Sequence, residues 1–312
     1  MRLALVAVWI VLAAAQFAQA DDTEAYVGTT GFGFLKLSPS ARPSALGGAF
    51  VAVRGDLAGL RWNPALAATL NGRRVSLDYA DYLVDTQAGF LAVGWPVGSL
   101  GSMGASLYYM SYGDMVRTTG KGDLDTGPSF TPGDVSLECT FARWLGERLA
   151  LGGSLKAVFS KIDVYSSDAY ALDLGVLYDP PITGLSLGAS ATNLLGGARQ
   201  GYTSHYKDEL PVSFKLGFCH SVAHLPLMLV GEWDGSPNDN SSSFAFGGEF
   251  CVADALFLRT GYNDQAADID NSGRAGWSMG AGVCWRSYRF DYAYSLFAAL
   301  GNVHRISATA SL

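Results

Sequence analysis

From residue 74 onward, apolar and polar residues alternate in short runs, and the gaps between the runs alternate between short and long. Successive side chains of a β-strand point to opposite faces, so a period of two marks a segment with different surroundings on its two sides. Fourteen such runs can be drawn, at 74–80, 87–95, 101–110, 134–144, 149–160, 169–178, 184–193, 211–220, 226–234, 243–250, 255–262, 276–285, 288–296 and 304–312. Val135, Leu137, Cys139 and Phe141 face one way, and Ser136, Glu138 and Thr140 the other. Trp277, Met279, Ala281, Val283 and Trp285 oppose Ser278, Gly280, Gly282 and Cys284 in the same manner, and Tyr288, Phe290, Tyr292 and Tyr294 oppose Arg289, Asp291 and Ser295.

The connections carry the second rhythm. Turns at 96–100, 145–148, 179–183, 221–225, 251–254 and 286–287 are short. The alternates, at 81–86, 111–133, 161–168, 194–210, 235–242, 263–275 and 297–303, are longer and richer in Gly, Asp, Asn and Ser. A soluble β-sandwich also alternates, but nothing in its physics lengthens every second connection. A barrel across an outer membrane needs both rhythms. The expectation is therefore an all-β membrane protein, a 14-stranded antiparallel transmembrane β-barrel over 74–312 with its apolar faces towards lipid. An even strand count with both ends on the short-turn side puts the long loops outside the cell. Trp95, Tyr109, Trp144, Tyr178 and Trp285 fall near strand ends, where an interfacial girdle places aromatics.

Residues 1–20 read as a cleaved export signal. Arg2 supplies the positive start, Leu3 to Ala15 the apolar run, and Ala18-Gln19-Ala20 the small-residue cleavage site before Asp21. As a membrane anchor the run is too short and lacks stop-transfer charges, and no later stretch approaches the roughly 18 apolar residues of a spanning helix. The expected location is the outer membrane of a Gram-negative-type bacterium.

Composition agrees. Only 16% of residues are charged, while 38 Gly, 15 Tyr, 16 Phe and 7 Trp suit strands, close backbone approach and interfacial rings. A formal charge of −7 argues against nucleic acid as a partner, because phosphate binding needs a basic face. Cys139, Cys219, Cys251 and Cys284 fall on strands four and eight, the turn after ten, and strand twelve. No two are on adjacent strands, so free thiols are expected rather than bridges, which need Cα atoms within about 7 Å.

The polar face carries charges whose signs alternate between neighbouring strands. Glu138, Lys156 and Asp173 fall on strands four to six, and Glu249 and Arg259 on ten and eleven. Facing lipid, each would cost about 2–4 kcal/mol near the midplane, so a lumenal charge network is expected. No nucleophile–base arrangement surrounds these groups, which reads as a structural interior and not an enzyme.

Residues 21–73 do not alternate. Ser38-Pro39-Ser40-Ala41-Arg42-Pro43 is rich in turn formers, and Ser44-Ala45-Leu46-Gly47-Gly48-Ala49-Phe50 is small enough for close packing. Asp56-Leu57-Ala58-Gly59-Leu60 has the look of a capped helical turn. Such a segment suits a plug, since a fourteen-stranded barrel leaves a lumen to fill or gate.

Phe32-Gly33-Phe34-Leu35-Lys36-Leu37, Ser40-Ala41-Arg42-Pro43, Ala45-Leu46-Gly47-Gly48-Ala49 and Trp62-Asn63-Pro64-Ala65 resemble the N-terminal signature of the PorV/PorQ family, within the wider FadL-like outer-membrane barrels. Later echoes are Gly153-Ser154-Leu155-Lys156, Asp173-Leu174-Gly175, Leu210-Pro211, Arg259-Thr260-Gly261-Tyr262 and His304-Arg305. The resemblance covers essentially the whole mature chain. It implies fourteen strands and a plug to which Ser40, Ala41, Arg42, Pro43, Gly47, Gly48, Trp62, Asn63, Pro64 and Ala65 belong. It also implies a part in type IX secretion, through binding exported proteins or secretion components, with no cofactor. FadL-like relatives instead pass hydrophobic small molecules, and a structural or adhesive barrel is a third possibility. Tyr112, Arg117, Phe130, Tyr202, His205 and Tyr206, on the two longest loops, are the candidate partner contacts. The chain ends in Leu312, where many outer-membrane barrels have an aromatic.

Other motifs carry less. Asp268-Ile269-Asp270-Asn271-Ser272-Gly273 opens like a calcium loop, but position twelve is Met279, so the bidentate carboxylate is missing and a solvated acidic loop is expected. Gly28, Gly31 and Gly33 do not complete a dinucleotide fingerprint. His205, His220, His224 and His304 are scattered, and no metal site is expected.

Overall fold

The computed structural model describes residues 30–117, 127–196, 199–200, 209–267, 275–297 and 301–312. The expected export signal, Gly28, Tyr202, His205, Tyr206 and the acidic loop beginning at Asp268 lie outside the described residues. Fourteen strands form the wall: β1 Arg74–Asp81, β2 Gln87–Pro96, β3 Ser102–Ser111, β4 Gly133–Leu145, β5 Leu149–Ile162, β6 Tyr165–Tyr178, β7 Leu185–Leu194, β8 Ser213–Ser221, β9 Leu227–Ser236, β10 Ser241–Val252, β11 Leu256–Asn263, β12 Trp277–Trp285, β13 Tyr288–Leu296 and β14 Asn302–Ser311. Each pairs antiparallel with its sequence neighbours, and β14 pairs with β1 from Arg74↔Ser311 to Asp81↔His304. The sheet is therefore a closed barrel, as the alternation predicts, and closure removes the open edges that lipid cannot satisfy.

The outward positions are apolar and exposed: Leu137, Phe141, Leu155, Phe246, Met279 and Phe290 are examples. The inward positions of the same strands are buried, as in Ser136, Glu138 and Thr140. An exposed apolar surface of this kind is stable only against lipid.

Several sequence expectations need correction. The stretch 161–168 is not a loop: β5 and β6 each run 14 residues and leave only Asp163 and Val164 between them. The polar residues there continue the strand in a hairpin that is longer than the 9–11 residues a bilayer requires. Likewise 235–242 shrinks to the turn Pro237–Asp239 and Asn240. Cys251 lies inside β10, not after it. All four cysteines are free. Trp144 does not belong to the lipid-facing girdle. It shares the inward parity of Glu138 and Thr140, and its Nε1–H donates to Ala68 O at 2.9 Å.

Inside the barrel sit the described residues before β1, 30–73. They form three 3-10 turns, Gly33–Lys36, Leu57–Arg61 and Pro64–Thr69, and one short helix, α1, Ala41–Ala45. Two apolar clusters join them to the wall. One combines Phe34, Leu57, Leu60 and Leu70 with Phe90, Tyr108 and Met110. The other combines Leu46, Phe50, Val51, Trp62 and Leu66 with Ala150, Leu177 and Val230. Each fully buried Leu, Val or Phe contributes about 1.5–3 kcal/mol by leaving water, so the plug is held by a core of its own.

Candidate functional site

Local chemistry shapes the plug first. Asp56 caps its 3-10 turn, its Oδ1 accepting from Ala58 N–H at 3.0 Å. Asn63 does the same for the next turn, accepting from Ala65 N–H at 3.0 Å. Pro64 follows at the first turn position, where a missing N–H costs nothing. The buried Asn63 amide also donates to Val51 O and, across to β6, to Val176 O, both at 2.9 Å. Trp62 Nε1–H donates to Gly48 O at 2.7 Å, and Ser190 Oγ on β7 donates to Trp62 O at 2.6 Å. Ser40 Oγ donates to Asp78 on β1 at 2.8 Å, Ala41 N–H donates to Ser307 Oγ on β14 at 2.9 Å, and Pro43 O accepts from Gly48 N–H at 2.9 Å.

Arg42 is the electrostatic centre. Its guanidinium grips Glu249 on β10 through Nε and Nη2, at 2.8 and 2.7 Å, and reaches Asp56 through Nη1 at 3.1 Å. Arg259 on β11 donates to the same Glu249 at 2.6 Å and pairs with Asp291 on β13 at 2.8 Å. Arg289 pairs with Asp291 at 2.9 Å. Bidentate charge-assisted bonds of this type are among the strongest polar contacts available. Burial opposes the charge on Arg42, yet Glu249 and Asp56 hold its pKa above the ordinary guanidinium value. Burial likewise opposes the Asp56 carboxylate, but Arg42 and Arg289 hold its pKa below the usual range.

A second set of charges stands apart. Glu138 and Lys156 are direct ladder partners, but the ion pair of Lys156 is with Asp173, at 2.8 Å, and its other partner is Asn193 Oδ1 at 2.9 Å. Asp173 also accepts from Asn193 N–H at 2.7 Å. Glu249 and Arg259 are ladder partners as well.

Sequence reading missed the acids that fasten the plug. Glu232 on β9 accepts from the N–H groups of Phe50 and Val51, both at 2.7 Å. Asp239 accepts from Thr30 Oγ1 at 2.8 Å and pairs with Lys36. Burial would raise the Asp239 pKa, but Lys36 and Thr30 hold it down. Asp78 and Glu232 both occupy inward parity positions, so a search for every charge on the polar face would have found them.

On the long-loop side of the plug lies a cavity of about 180 Å³, lined by Arg61, Lys156, Lys215, Glu232, Asp234 and Ser243 among others. Its lining is mixed, with Leu35, Leu37, Trp62 and Ala245 standing among the charged and hydroxyl groups. Arg61 lies 3.9 Å over the Tyr108 ring and donates to Leu35 O and Leu37 O. A cleft of about 380 Å³ on the short-turn side is lined by Arg54, Asp179 and Met228. Between them lies the packed layer of Leu46, Phe50, Val51 and Leu66.

At the long-loop rim, Met115–Val116 and Ser129–Phe130 form a two-stranded ribbon. Arg117 pairs with Asp163 in the β5–β6 turn, and Tyr112 OH donates to Asp134. Burial and the neighbouring Asp134 carboxylate raise the Tyr112 pKa above that of a free phenol. These contacts bring Tyr112, Arg117 and Phe130 onto one structured side of the rim.

The sequence matches the PorV family, described as type IX secretion system protein PorV, over residues 19–178, just over half of the chain. No curated protein matches it. Among solved structures, the P. putida toluene transporter TodX is similar with a TM-score of 0.64 at 12% identity, covering 88% of this chain and 98% of that one. The CymD monoaromatic hydrocarbon channel gives 0.57 at 12%, covering 90% and 99%. A Pseudomonas aeruginosa FadL homologue gives 0.56 at 13%, covering 88% and 98%. At these identities the likeness is one of fold.

Proposed function

Because the chain belongs to the PorV family of type IX secretion system proteins, we propose that this outer-membrane barrel serves protein secretion or surface attachment by binding exported proteins. The rim with the long loops faces the cell exterior in this reading. The supporting observation is the filled lumen. Plug side chains such as Leu46, Phe50 and Leu66 are fully buried against the wall, so the surfaces left for a partner are the loops. Tyr112, Arg117 and Phe130 offer aromatic and cationic anchors there, the residue types that carry protein interfaces.

A passive channel for hydrophobic small molecules is the second reading. One feature favours it: the β6–β7 ladder slips, with Leu172 opposite Leu194 but Leu174 opposite Ala191, which breaks the wall locally. The slip is stapled, however, by the polar bonds of Asn193 to Asp173, Lys156 and Pro211 O. The cavity beside it has Lys156, Lys215, Glu232 and Asp234 in its lining, and desolvating such charges opposes the passage of apolar molecules.

Shortening 113–132, which keeps Tyr112 as the crosslinking position, separates the two. Crosslinking from Tyr112 in intact cells should capture an exported protein with the full-length chain and lose it with the shortened one, while uptake of hydrophobic compounds stays unchanged. Collapse of uptake without any captured protein would replace docking by transport.

A further inference from the structure

The plug does not stand in the lumen as a cork; its chain follows the wall. Ala41 meets Ser307 of β14, and Ala41 and Ala45 cluster with Ala293 of β13. Further along, Arg42 meets Glu249 of β10, and Phe50 and Val51 meet Glu232 of β9. Beside these side-chain clamps the wall offers glycine. A Cβ on Gly280 of β12 would lie 2.6 Å from Ala45 Cβ, and one on Gly247 of β10 would lie 2.7 Å from Leu46 O. One on Gly261 of β11 would lie 2.8 Å from Gly47 Cα, and one on Gly188 of β7 would lie 2.7 Å from Val51 C. Gly47 itself has φ +72°, and a Cβ there would come within 2.6 Å of Tyr262 O. Neither side of this contact has room for a side chain, and except at Ala45 the atoms that would be struck are backbone, which cannot swing aside.

We propose that residues 41–52 form an internal hoop on which the barrel closes, and that the plug is a fixed part of the wall which is not displaced while the protein works. The hoop runs across the strands from β14 by way of β13, β12, β11 and β10 to β9 and β7, and bare backbone meets bare backbone at glycines placed for it. Pulling the hoop away would strip Glu249 of the bidentate Arg42 grip and Glu232 of the Phe50 and Val51 N–H groups, leaving these two inward carboxylates to wall cations such as Arg259 and Lys215. The inference deepens the docking reading, which requires a sealed lumen, but it is tested separately.

Planar-bilayer recordings on the purified full-length protein should be silent at voltages that leave the bilayer intact. Gly261→Val and Gly247→Val should either lower the urea midpoint in detergent or admit channel events. Wild-type openings, or valine variants that remain silent with an unchanged midpoint, would overturn the hoop. A second test does not depend on those variants folding. In a chain with the four native cysteines replaced, Ala45→Cys with Ala293→Cys would lock α1 to β13. With a fixed plug, the oxidised and reduced forms capture the partner equally. Loss of capture on oxidation alone would show that the plug moves in service. Failure of capture in both forms of a silent barrel would support the hoop and count against docking, whereas a leaky barrel that still captures its partner would do the reverse.

Discussion

At the scale of the residue, Arg42 ties three parts of the molecule through one guanidinium: the plug turn at Asp56, the wall at Glu249, and through Glu249 the Arg259–Asp291 pair. Arg42→Ala leaves Asp56 with no cation nearer than Arg289, at 3.9 Å, so unfolding in detergent should be easier by about 3–5 kcal/mol, the usual result of stranding a buried charge. Arg42→Lys should recover only part of this, because an ammonium cannot form the bidentate grip. The pH dependence has a definite sign. Asp56 titrates lower in the folded state than in the unfolded chain, so its contribution is complete above about pH 4 and fades as the pH falls through its folded value. The stability gap between the protein and Asp56→Asn should therefore be constant near neutrality and narrow in acid; a gap that widens in acid would refute the assignment. Glu249 and Arg259 were legible as neighbours because the strand register places them opposite one another. Arg42 was not, since its contact with Glu249 spans 207 residues and no local periodicity encodes it.

At the scale of the element, strands were legible wherever one face meets lipid and the other the plug, because each residue then has one permitted character. The pattern fails where a strand leaves the bilayer. Ser166, Ser167 and Asp168 on β6 are polar without regard to face, since both faces of that hairpin are wet, and they read as loop although they are paired strand. It fails also for amphipathic side chains. Trp144 lies near a strand end like any girdle tryptophan, and only its parity shows that it faces Ala68. Depth-dependent quenching should expose the difference. With single-tryptophan versions in brominated lipid, Trp285, 61% exposed, should be strongly quenched. Trp62, 8% exposed, and the inward Trp144 should be nearly untouched. Strong quenching of Trp144 would mean that β4 is turned over, which would expel Glu138 to lipid.

At the scale of the molecule, strand number and closure could be read from the chain, but the fit between plug and wall could not. The plug is irregular and has no period, and its positions are fixed by partners hundreds of residues away, as with Ser307 for Ala41 and Asp239 for Thr30. Closure has its own consequence. The seam between β1 and β14 uses eight residues of each strand, and Leu312 N–H adds a bond to Arg73 O at 2.9 Å. While the seam holds, every strand is paired on both sides and detergent finds no open edge, so the unheated protein should run as a compact band on gels and shift on boiling. Deleting 302–312 leaves β1 and β13 each with an unpaired edge, whose exposed N–H and C=O groups lipid cannot satisfy. It also removes Ser307 and Arg305, which hold Ala41 and Ser38 of the plug. The truncated chain should lose its heat-shifted band and fail to fractionate with the outer membrane. Removing only the hydroxyl, with Ser307→Ala in the full-length chain, separates the two effects: that variant keeps the seam, so it should keep the band and lose only part of its unfolding midpoint. A truncated chain that still shifts on boiling would show that the barrel closes without β14, and the fourteen-strand seam would be wrong.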